Sequence, residues 1–418
     1  MTPAVRRPLA VVLDVFSARS AAGQLLRTAG KNRQAGRFLL KSGFQRRSFQ
    51  TSIARWSESK GKNISYRVAA SCSAKGRRIN LEKNTHVFDP ATQDAIGVVL
   101  KNRGGKSQQQ QQQQKRPGSG EDAFFASRVG ATDTGAVAFG IADGVGGWAE
   151  HRVDPAEVSH GLCTYMAEHA LDATEESLKP KELLQRGYDA VQADKSITAG
   201  GTTASVGVAQ PDGSVELANL GDSGSVLLRL AAVHQYSTPQ THAFNTPYQL
   251  NVIPQRLRQQ AYMFGGTYFE DLPRDAAVST ASLQHGDVLI LATDGVFDNL
   301  NNQEILKIVT SRMLLTGAWA ETSRDGIGAS SKLDALTQFG GLGLPSPPSS
   351  SISKSAGYNS LQGLLAASIV GEAKLASVDV RRDGPFAKEA QRYHPGHWYR
   401  GGKVDDICVV VVVAVENI

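Results

Sequence analysis

Three apolar runs in this chain end on an aspartate that lies next to a glycine. The three pairs are Asp143-Gly144, Gly221-Asp222 and Asp294-Gly295. Two more acidic pairs precede apolar runs, and these are Glu121-Asp122 and Asp405-Asp406. Carboxylates at strand ends can converge at one edge of a sheet structure, where they repel each other unless cations lie between them. The pattern therefore predicts a site for metal ions that prefer oxygen ligands.

Mg²⁺ and Mn²⁺ are the ions that these ligands suit, because both prefer carboxylate, carbonyl and water oxygens in octahedral geometry. A glycine beside the carboxylate removes side-chain bulk, so a backbone carbonyl can also reach an ion. Two such ions roughly 4 Å apart can hold a phosphate and lower the pKa of a bridging water. Each aspartate-glycine pair taken alone is equally consistent with a plain turn at the end of a strand.

The elements that must position these acids are short strands and a few helices. Pro211-Asp212-Gly213 separates two apolar runs and predicts a hairpin loop. The run from Ile407 to Val415 is typical of a buried central strand. No apolar stretch reaches the roughly 18 residues that a membrane span needs, so we expect no transmembrane segment. Further strands are predicted at 66–74 and 224–230, and helices at 155–173, 179–194, 302–314 and 359–377.

The first 60 residues differ from the rest of the chain in composition. They carry a net charge of +10 in a chain whose total is +6, so the remainder carries −4. An Arg-rich, acid-poor leader with Ser, Ala and spaced apolar residues is typical of mitochondrial import, and Arg46–Ser52 resembles a processing region. We therefore expect a mitochondrial targeting presequence at 1–60 and a location in the matrix. The alternative is a disordered basic tail that binds anionic surfaces.

Two polar segments predict insertions rather than core. Residues 101–119 contain seven consecutive glutamines, Gln108 to Gln114, and low-complexity glutamine cannot bury a core. Residues 317–358 are rich in Gly, Ser and Pro and predict a second, longer insertion. The three cysteines are scattered, so disulfides are not expected.

Six motifs recur along the chain in the order that they have in a known family. Through them the chain resembles the metal-dependent Ser/Thr phosphatases called protein phosphatase 2C, over about residues 62–418. Within that family, Gly144–Trp148 and Thr241–Leu250 resemble the mitochondrial homologue 7 group. The six motifs are Gly120-Glu-Asp122, Ala142-Asp-Gly-Val-Gly-Gly-Trp148, Ala199-Gly-Gly-Thr-Thr-Ala-Ser205, Leu220-Gly-Asp-Ser-Gly224, Ala292-Thr-Asp-Gly-Val-Phe-Asp298 and Lys403-Val-Asp-Asp-Ile407.

The resemblance implies an α+β fold, a four-layer α-β-β-α sandwich in which two packed antiparallel β-sheets are flanked by helices. It implies two Mn²⁺ or Mg²⁺ ions at one end of the sandwich. Asp143 would bridge the two ions, with the Gly144 carbonyl as a further ligand. Asp294 and Asp405 would complete the protein ligands of one ion, and Glu121 would serve the other, directly or through water.

The resemblance also assigns Asp122 to orient or deprotonate the attacking water, and Asp222 and Asp298 to a weaker third metal. Family members carry an arginine that holds the substrate phosphate a few residues before the Glu-Asp pair. They also carry a histidine, proposed as the leaving-group acid, directly after the Asp-Gly pair. Here Pro117–Ser119 and Val145 occupy these two regions. Either another acid or solvent would then protonate the leaving group.

The implied function is hydrolysis of phosphoserine and phosphothreonine in mitochondrial proteins by a water that two metals activate. Family membership suggests phosphoprotein substrates among metabolic or coenzyme Q biosynthesis enzymes. A non-catalytic adaptor with the same fold is the rival interpretation. A two-metal nuclease, and nucleic acid as a partner, are disfavoured because the chain beyond the leader is net negative. Gly144–Gly147 lacks the following Lys and Ser or Thr of a phosphate-binding P-loop.

Overall fold

The computed structural model describes residues 63–100 and 117–417, except 133, 175–176, 267, 323–325, 345–356 and 397. The presequence predicted at 1–60 and the glutamine run lie outside the described residues. Every acidic pair named above falls within them, and they belong to one compact unit.

Strands make up most of the interior of the described chain. The strands are β1 (Ile64–Ser73), β2 (Thr85–Phe88), β3 (Ala95–Ile96), β4 (Ala123–Arg128), β5 (Val137–Ala142), β6 (Gly200–Thr202), β7 (Ala204–Ala209), β8 (Ser214–Leu220), β9 (Gly224–Arg229), β10 (Ala232–Tyr236), β11 (Thr241–Ala243), β12 (Thr246–Pro247), β13 (Leu250–Val252), β14 (Ala277–Ser282), β15 (Val288–Ala292), β16 (Trp319–Thr322), β17 (Gly326–Ala329) and β18 (Ile407–Glu416).

Two six-stranded antiparallel sheets contain twelve of these strands, in the orders β10-β9-β15-β18-β1-β2 and β14-β8-β7-β5-β4-β3. The prediction for the run Ile407 to Val415 is confirmed, because all of its residues are buried and β18 lies inside its sheet. A strand that is buried on both faces reads as a continuous apolar run. The predicted hairpin loop at 211–213 joins β7 to β8.

Helices flank the sheets, and four of them match the predicted segments to within about two residues, as boundary assignments normally vary. Asn301 begins one of the four, where its side chain accepts hydrogen bonds from the N–H groups of Gln303 and Glu304. The α-helices of the described chain are α1 (Leu81–Asn84), α2 (Ala156–Leu171), α3 (Pro180–Ala193), α4 (Gln255–Met263), α5 (Asp294–Phe297), α6 (Asn302–Leu315), α7 (Leu333–Thr337), α8 (Leu361–Val378) and α9 (Pro385–Tyr393).

Three apolar clusters hold four layers together. Leu162 of α2 and Leu184 of α3 pack on the sheet that contains β4 and β5. Val309 of α6 and Ile369 of α8 pack on the other sheet. The third cluster lies between the two sheets and includes Phe139. The fold is therefore the α+β, four-layer α-β-β-α sandwich that the resemblance implied.

The first part of segment 317–358 differs from its prediction as an insertion outside the core. It forms the hairpin of β16 and β17, followed by α7. Trp319 is 1% exposed and Leu333 is fully buried. The Trp319 indole N–H donates to the Gly286 carbonyl at 3.0 Å. The prediction was wrong for this part, because the average composition is polar although Ala318, Trp319 and Leu333 belong to the apolar core.

Helix α8 is the one helix in the described residues that is long and apolar enough to cross a membrane. Eleven of its eighteen residues are buried, and it packs against β1 and β18. Contact with the sheet therefore accounts for its apolar composition.

Candidate active site

The register of β4 and β5 brings two of the predicted acids to the same end of one sheet. Ala123 lies opposite Ala142 in this antiparallel pair. Asp122 directly precedes Ala123, and Asp143 directly follows Ala142. The two carboxylates therefore flank one end of the strand pair.

Acids from the second sheet lie at the same end of the sandwich. Ala292 of β15 lies opposite Val409 of β18. Asp294 follows β15 and begins α5, and Asp405 lies just before β18. Asp298 lies one turn further along, where its N–H donates to the Asp294 carbonyl at 2.7 Å.

Thr293 links the two sheets at this end. Its hydroxyl donates to Asp122 Oδ2 at 2.9 Å, and its Oγ1 accepts the backbone N–H of Cys408 at 3.0 Å. Asp122 is fully buried, and its Oδ1 has no hydrogen-bond partner among the described residues. The fold therefore fixes Oδ2 of this carboxylate, and Oδ1 is available to bind a water or a ligand.

Asp406 holds the backbone around Glu121. Its two carboxylate oxygens accept the N–H of Lys75 at 2.5 Å and the N–H of Glu121 at 2.7 Å. Gly120 precedes Glu121 with φ of +76°, and a Cβ there would lie 2.3 Å from the Asp406 carboxylate. Only glycine fits this close approach. Asp406 is thus a structural partner of the Glu-Asp pair.

Two threonines fix the backbone of Asp143. The Thr202 hydroxyl and the Thr203 N–H both donate to the Asp143 carbonyl, each at 2.9 Å. The Asp143 N–H donates back to Thr203 Oγ1 at 3.3 Å. A Cβ on Gly144 would lie 2.5 Å from the Pro155 carbonyl. The Gly-Thr-Thr motif therefore has a structural role, because its two threonines hold the backbone of Asp143.

A lysine lies among the carboxylates of the second sheet. Lys403 Nζ is 2.6 Å from Asp294 Oδ2, 2.6 Å from Asp298 Oδ2 and 3.1 Å from Asp405 Oδ2. In the part of the chain that the structure describes, no three His, Cys, Asp or Glu side chains are already grouped as ligands of one metal ion. The cation that neutralises this side of the cluster is the lysine ammonium.

Comparison with known proteins identifies the family. The profile of protein phosphatase 2C matches residues 109–335, which is more than half of the chain. The chain belongs to the protein phosphatase 2C family. It is thus a protein-serine/threonine phosphatase.

Two of the curated relatives of this phosphatase come from yeasts. Protein phosphatase 2C homolog 7, mitochondrial, of Saccharomyces cerevisiae is 33% identical over 302 residues, 71% of this chain and 75% of that protein. The 5-azacytidine resistance protein azr1 of Schizosaccharomyces pombe is 30% identical over 71% of this chain and 82% of its own. Among solved structures, the photosystem II phosphatase PBCP is 26% identical, with a TM-score of 0.48 over 70% of this chain and 91% of its own.

Crowding of carboxylates shifts pKa values throughout the site of this phosphatase. Burial, then the charges of Asp406 and Asp294, raises the pKa of Asp122 well above its usual range. Burial, then Asp294, also raises the pKa of Asp143, and the same two causes raise the pKa of Asp222 to about 7. The cluster therefore needs added positive charge to be fully ionised at neutral pH.

Lys403 has the opposite effect on its nearest partner. Burial alone would raise the pKa of Asp294, but the Lys403 ammonium together with hydrogen bonds from Asp143 and Asp298 outweighs burial and lowers it. Asp298 keeps a pKa well above its usual range, because burial and the Asp294 charge outweigh the lysine. Burial, then Asp406, raises the pKa of Glu121.

The two departures from the family pattern are visible in the structure. Val145 occupies the position after Gly144, where it precedes a 3₁₀ helix at Gly146–His151 and carries no ionisable group. Pro117–Ser119 carries no cation, and Arg116 lies outside the described residues. Within the described part of this phosphatase, neither region supplies the phosphate-binding arginine or the acid.

Sequence reasoning missed three residues of this site, which are Thr293, Lys403 and Asp406. All three lie inside motifs that were quoted for their neighbours. Lys403 could have been identified from the sequence, because it lies two residues before the candidate ligand Asp405 and carries the opposite charge. Thr293 has no such signal, because its contact with Asp122 joins positions 171 residues apart.

The segment 237–276, which lies between β10 and β14 and which we call the flap, borders the site of the phosphatase. Its strand β13 pairs with β6, next to the threonines that hold Asp143. The Tyr268 ring of the flap stacks on Trp148 with the ring centroids 5.9 Å apart. Within the flap, His242 Nε2 lies 2.9 Å from Asp271 Oδ2. The two features of the homologue 7 group therefore join this flap to the acidic end of the sandwich.

Proposed function

We propose that this phosphatase hydrolyses phosphoserine and phosphothreonine in mitochondrial proteins, and that it uses Mn²⁺ or Mg²⁺. One observation carries the proposal. Asp122 and Asp143 from one sheet meet Asp294 and Asp405 from the other at one end of the sandwich. Such a concentration of buried negative charge costs stability unless cations bind it.

The residues present fit ions of this kind. The donors are all carboxylate or carbonyl oxygens, which Mg²⁺ and Mn²⁺ prefer. Asp122 Oδ1 is buried without a partner, as expected where a water or an ion completes the site. The pKa values of Asp143 and Asp222 are raised, and nearby cations would lower them.

We assign the ligands as the family resemblance implies. Glu121, Asp143, the Gly144 carbonyl, Asp294 and Asp405 would hold two ions. Asp222 and Asp298 were expected at a third, weaker one. When bound, such a pair of ions neutralises phosphoryl oxygens and acidifies a water. The threonine pair keeps Asp143 in place while Asp406 keeps Glu121 in place.

Asp122 is the residue that we assign to the attacking water. Thr293 holds its Oδ2, so Oδ1 is the atom that orients the water and accepts its proton. Burial and the neighbouring carboxylates raise the pKa of Asp122, which makes this carboxylate a stronger base than an exposed aspartate. The water would then attack the phosphorus in line, and the bond from phosphorus to the serine or threonine oxygen would break as the new bond forms, without a phosphoenzyme. Another acid or solvent would give the leaving oxygen its proton.

A mitochondrial location is supported by the relative whose name states it and by the leader composition. We propose the matrix as the compartment, with phosphoproteins of metabolism or of coenzyme Q biosynthesis as substrates. Incubation of the full chain with isolated mitochondria tests the leader. Import that is lost on deletion of residues 1–60 supports it, and import that survives the deletion contradicts it.

Release of phosphate from a phosphothreonine peptide tests the activity on the full chain. We expect release to require added Mn²⁺ or Mg²⁺ and to fall by about 100-fold or more in Asp143→Asn, because that change removes a central ligand. The matched control is Asp212→Asn in the β7–β8 loop, which should retain the wild-type rate. Full activity in Asp143→Asn contradicts the assignment. Phosphopeptide binding without turnover in saturating Mn²⁺ would instead favour the adaptor.

A further inference from the structure

The backbone of Lys403 is fixed by a buried asparagine. The Lys403 N–H donates to Asn299 Oδ1 at 2.9 Å, and Asn299 Nδ2 donates to the Lys403 carbonyl at 2.9 Å. Asn299 itself is fully buried and also donates to the Gly295 carbonyl. The side chain of Lys403 therefore starts from a defined position beside α5.

The ammonium of Lys403 has as many carboxylate partners as it has N–H donors. An ammonium carries three donors, and carboxylate oxygens of Asp294, Asp298 and Asp405 lie 2.6, 2.6 and 3.1 Å from Nζ. The Lys403 side chain is only 16% exposed. Nζ donates hydrogen bonds to Asp294 and Asp298 and forms an ion pair with Asp405, so the ammonium is directed at carboxylates of the protein.

An aromatic ring also lies against the Lys403 ammonium. Lys403 Nζ lies 5.0 Å from the ring centroid of Phe386 on α9, which is within the range of a cation–π contact. Three carboxylates and one ring face thus surround a single positive charge.

We propose that Lys403 is a resident cation that occupies the position between Asp294, Asp298 and Asp405 and excludes a divalent ion from it. The inference rests on the proposed metal dependence of the site. It changes the expected role of Asp298, which becomes a partner of the lysine rather than a ligand of a third ion. The metal ions are then confined to the side of the cluster that contains Asp143.

Steric and electrostatic reasons support exclusion. A divalent ion that entered this position would have to replace the charge-assisted hydrogen bonds of Lys403 to Asp294 and Asp298 and its ion pair with Asp405, and move the ammonium away. Lys403 and an ion cannot share the position, because like charges at such a distance repel strongly. The lysine is part of the chain, so its positive charge is present beside these carboxylates at any metal concentration.

Calorimetric titration of the full chain with Mn²⁺ tests the inference. We expect Lys403→Gln and Lys403→Met to bind about one more Mn²⁺ per chain than the wild type, because the freed carboxylates suit a hard divalent cation. Lys403→Arg keeps the charge and should keep the wild-type count. The matched control is Lys75→Gln, since Lys75 Nζ lies 3.6 Å from Asp405 but is 62% exposed. It should also keep the wild-type count.

The results separate this inference from the proposed function. An equal Mn²⁺ count in the wild type and both neutral variants overturns the inference alone, as does a gain in Lys75→Gln equal to that in Lys403→Gln. A wild type that binds no Mn²⁺ overturns the proposed function as well. If the neutral variants do not fold, a crystal of the wild type in Mn²⁺ decides. Lys403 still bonded to Asp294 and Asp298 supports exclusion, and an ion between those carboxylates contradicts it.

Discussion

The hydroxyl of Thr293 donates a hydrogen bond of 2.9 Å to Asp122 Oδ2 and so joins the two sheets at the acidic end of the sandwich. This contact fixes one oxygen of a fully buried carboxylate and leaves the other free to act. It also holds Asp122, which directly precedes β4, at a fixed position relative to the acids that follow β15 and precede β18.

Loss of this hydroxyl should lower activity with little loss of the fold. We expect Thr293→Val to reduce phosphate release by about 10- to 100-fold, as is typical when a group that positions a catalytic carboxylate is removed. Thr293→Ser keeps the hydroxyl and should stay close to the wild-type rate. The measurement is kcat on a phosphothreonine peptide in saturating Mn²⁺. An unchanged kcat in Thr293→Val would show that Asp122 needs no positioning.

Trp319 tests whether the first part of segment 317–358 is core. We expect Trp319→Ala to lower the free energy of unfolding by about 3–5 kcal/mol, the usual range for a buried aromatic. The matched control is Phe339→Ala in the same segment, because Phe339 is 65% exposed and should change stability by less than about 0.5 kcal/mol. Urea denaturation measures both. Equal effects of the two variants would restore the interpretation of this region as a surface insertion.

Glu304 should contribute stability that depends on pH. Burial alone would raise its pKa, but the Asn301 N–H and the Arg382 guanidinium outweigh burial and lower it. A pKa lowered by folding gives stability above the unfolded value of about 4.3, and this stability is lost as the pH falls through the folded pKa. Glu304→Gln should therefore be less stable than the wild type at pH 7 and nearly equal to it below that window.

Urea denaturation at pH 7 and at about pH 3 measures the effect of Glu304→Gln, since the window lies near the pKa of a glutamate. The control is Glu389→Gln, because Glu389 pairs with Arg392 at 3.8 Å on the surface and such pairs contribute less than about 1 kcal/mol. A stability difference for Glu304→Gln that is the same at both pH values would contradict the linkage.

Much of the fold could be predicted from local patterns. The run from Ile407 to Val415 predicted a buried strand, and Pro211–Gly213 predicted a hairpin. Both features depend on residues that are close together in the chain. Four helices were predicted for the same reason. Trp319 was missed because its burial depends on Gly286 and on the sheet beneath, which no local window contains.

The site shows the same division between local and distant signals. The acids could be named from the sequence because three of them end apolar runs beside a glycine and two acidic pairs directly precede apolar runs. Their partners could not, since the contacts of Thr293 with Asp122 and of Asp406 with Glu121 join residues 171 and 285 positions apart. Lys403 adds a positive charge that a search for acidic ligands does not consider.

The most direct test is an anomalous difference map from crystals of the full chain grown in Mn²⁺. The proposed site predicts strong peaks bounded by the carboxylates of Asp143, Asp294 and Asp405, with Glu121 beside them and Asp122 facing a bound water. Crystals that show no peak at this end of the sandwich in saturating Mn²⁺, or peaks only elsewhere on the molecule, would contradict it.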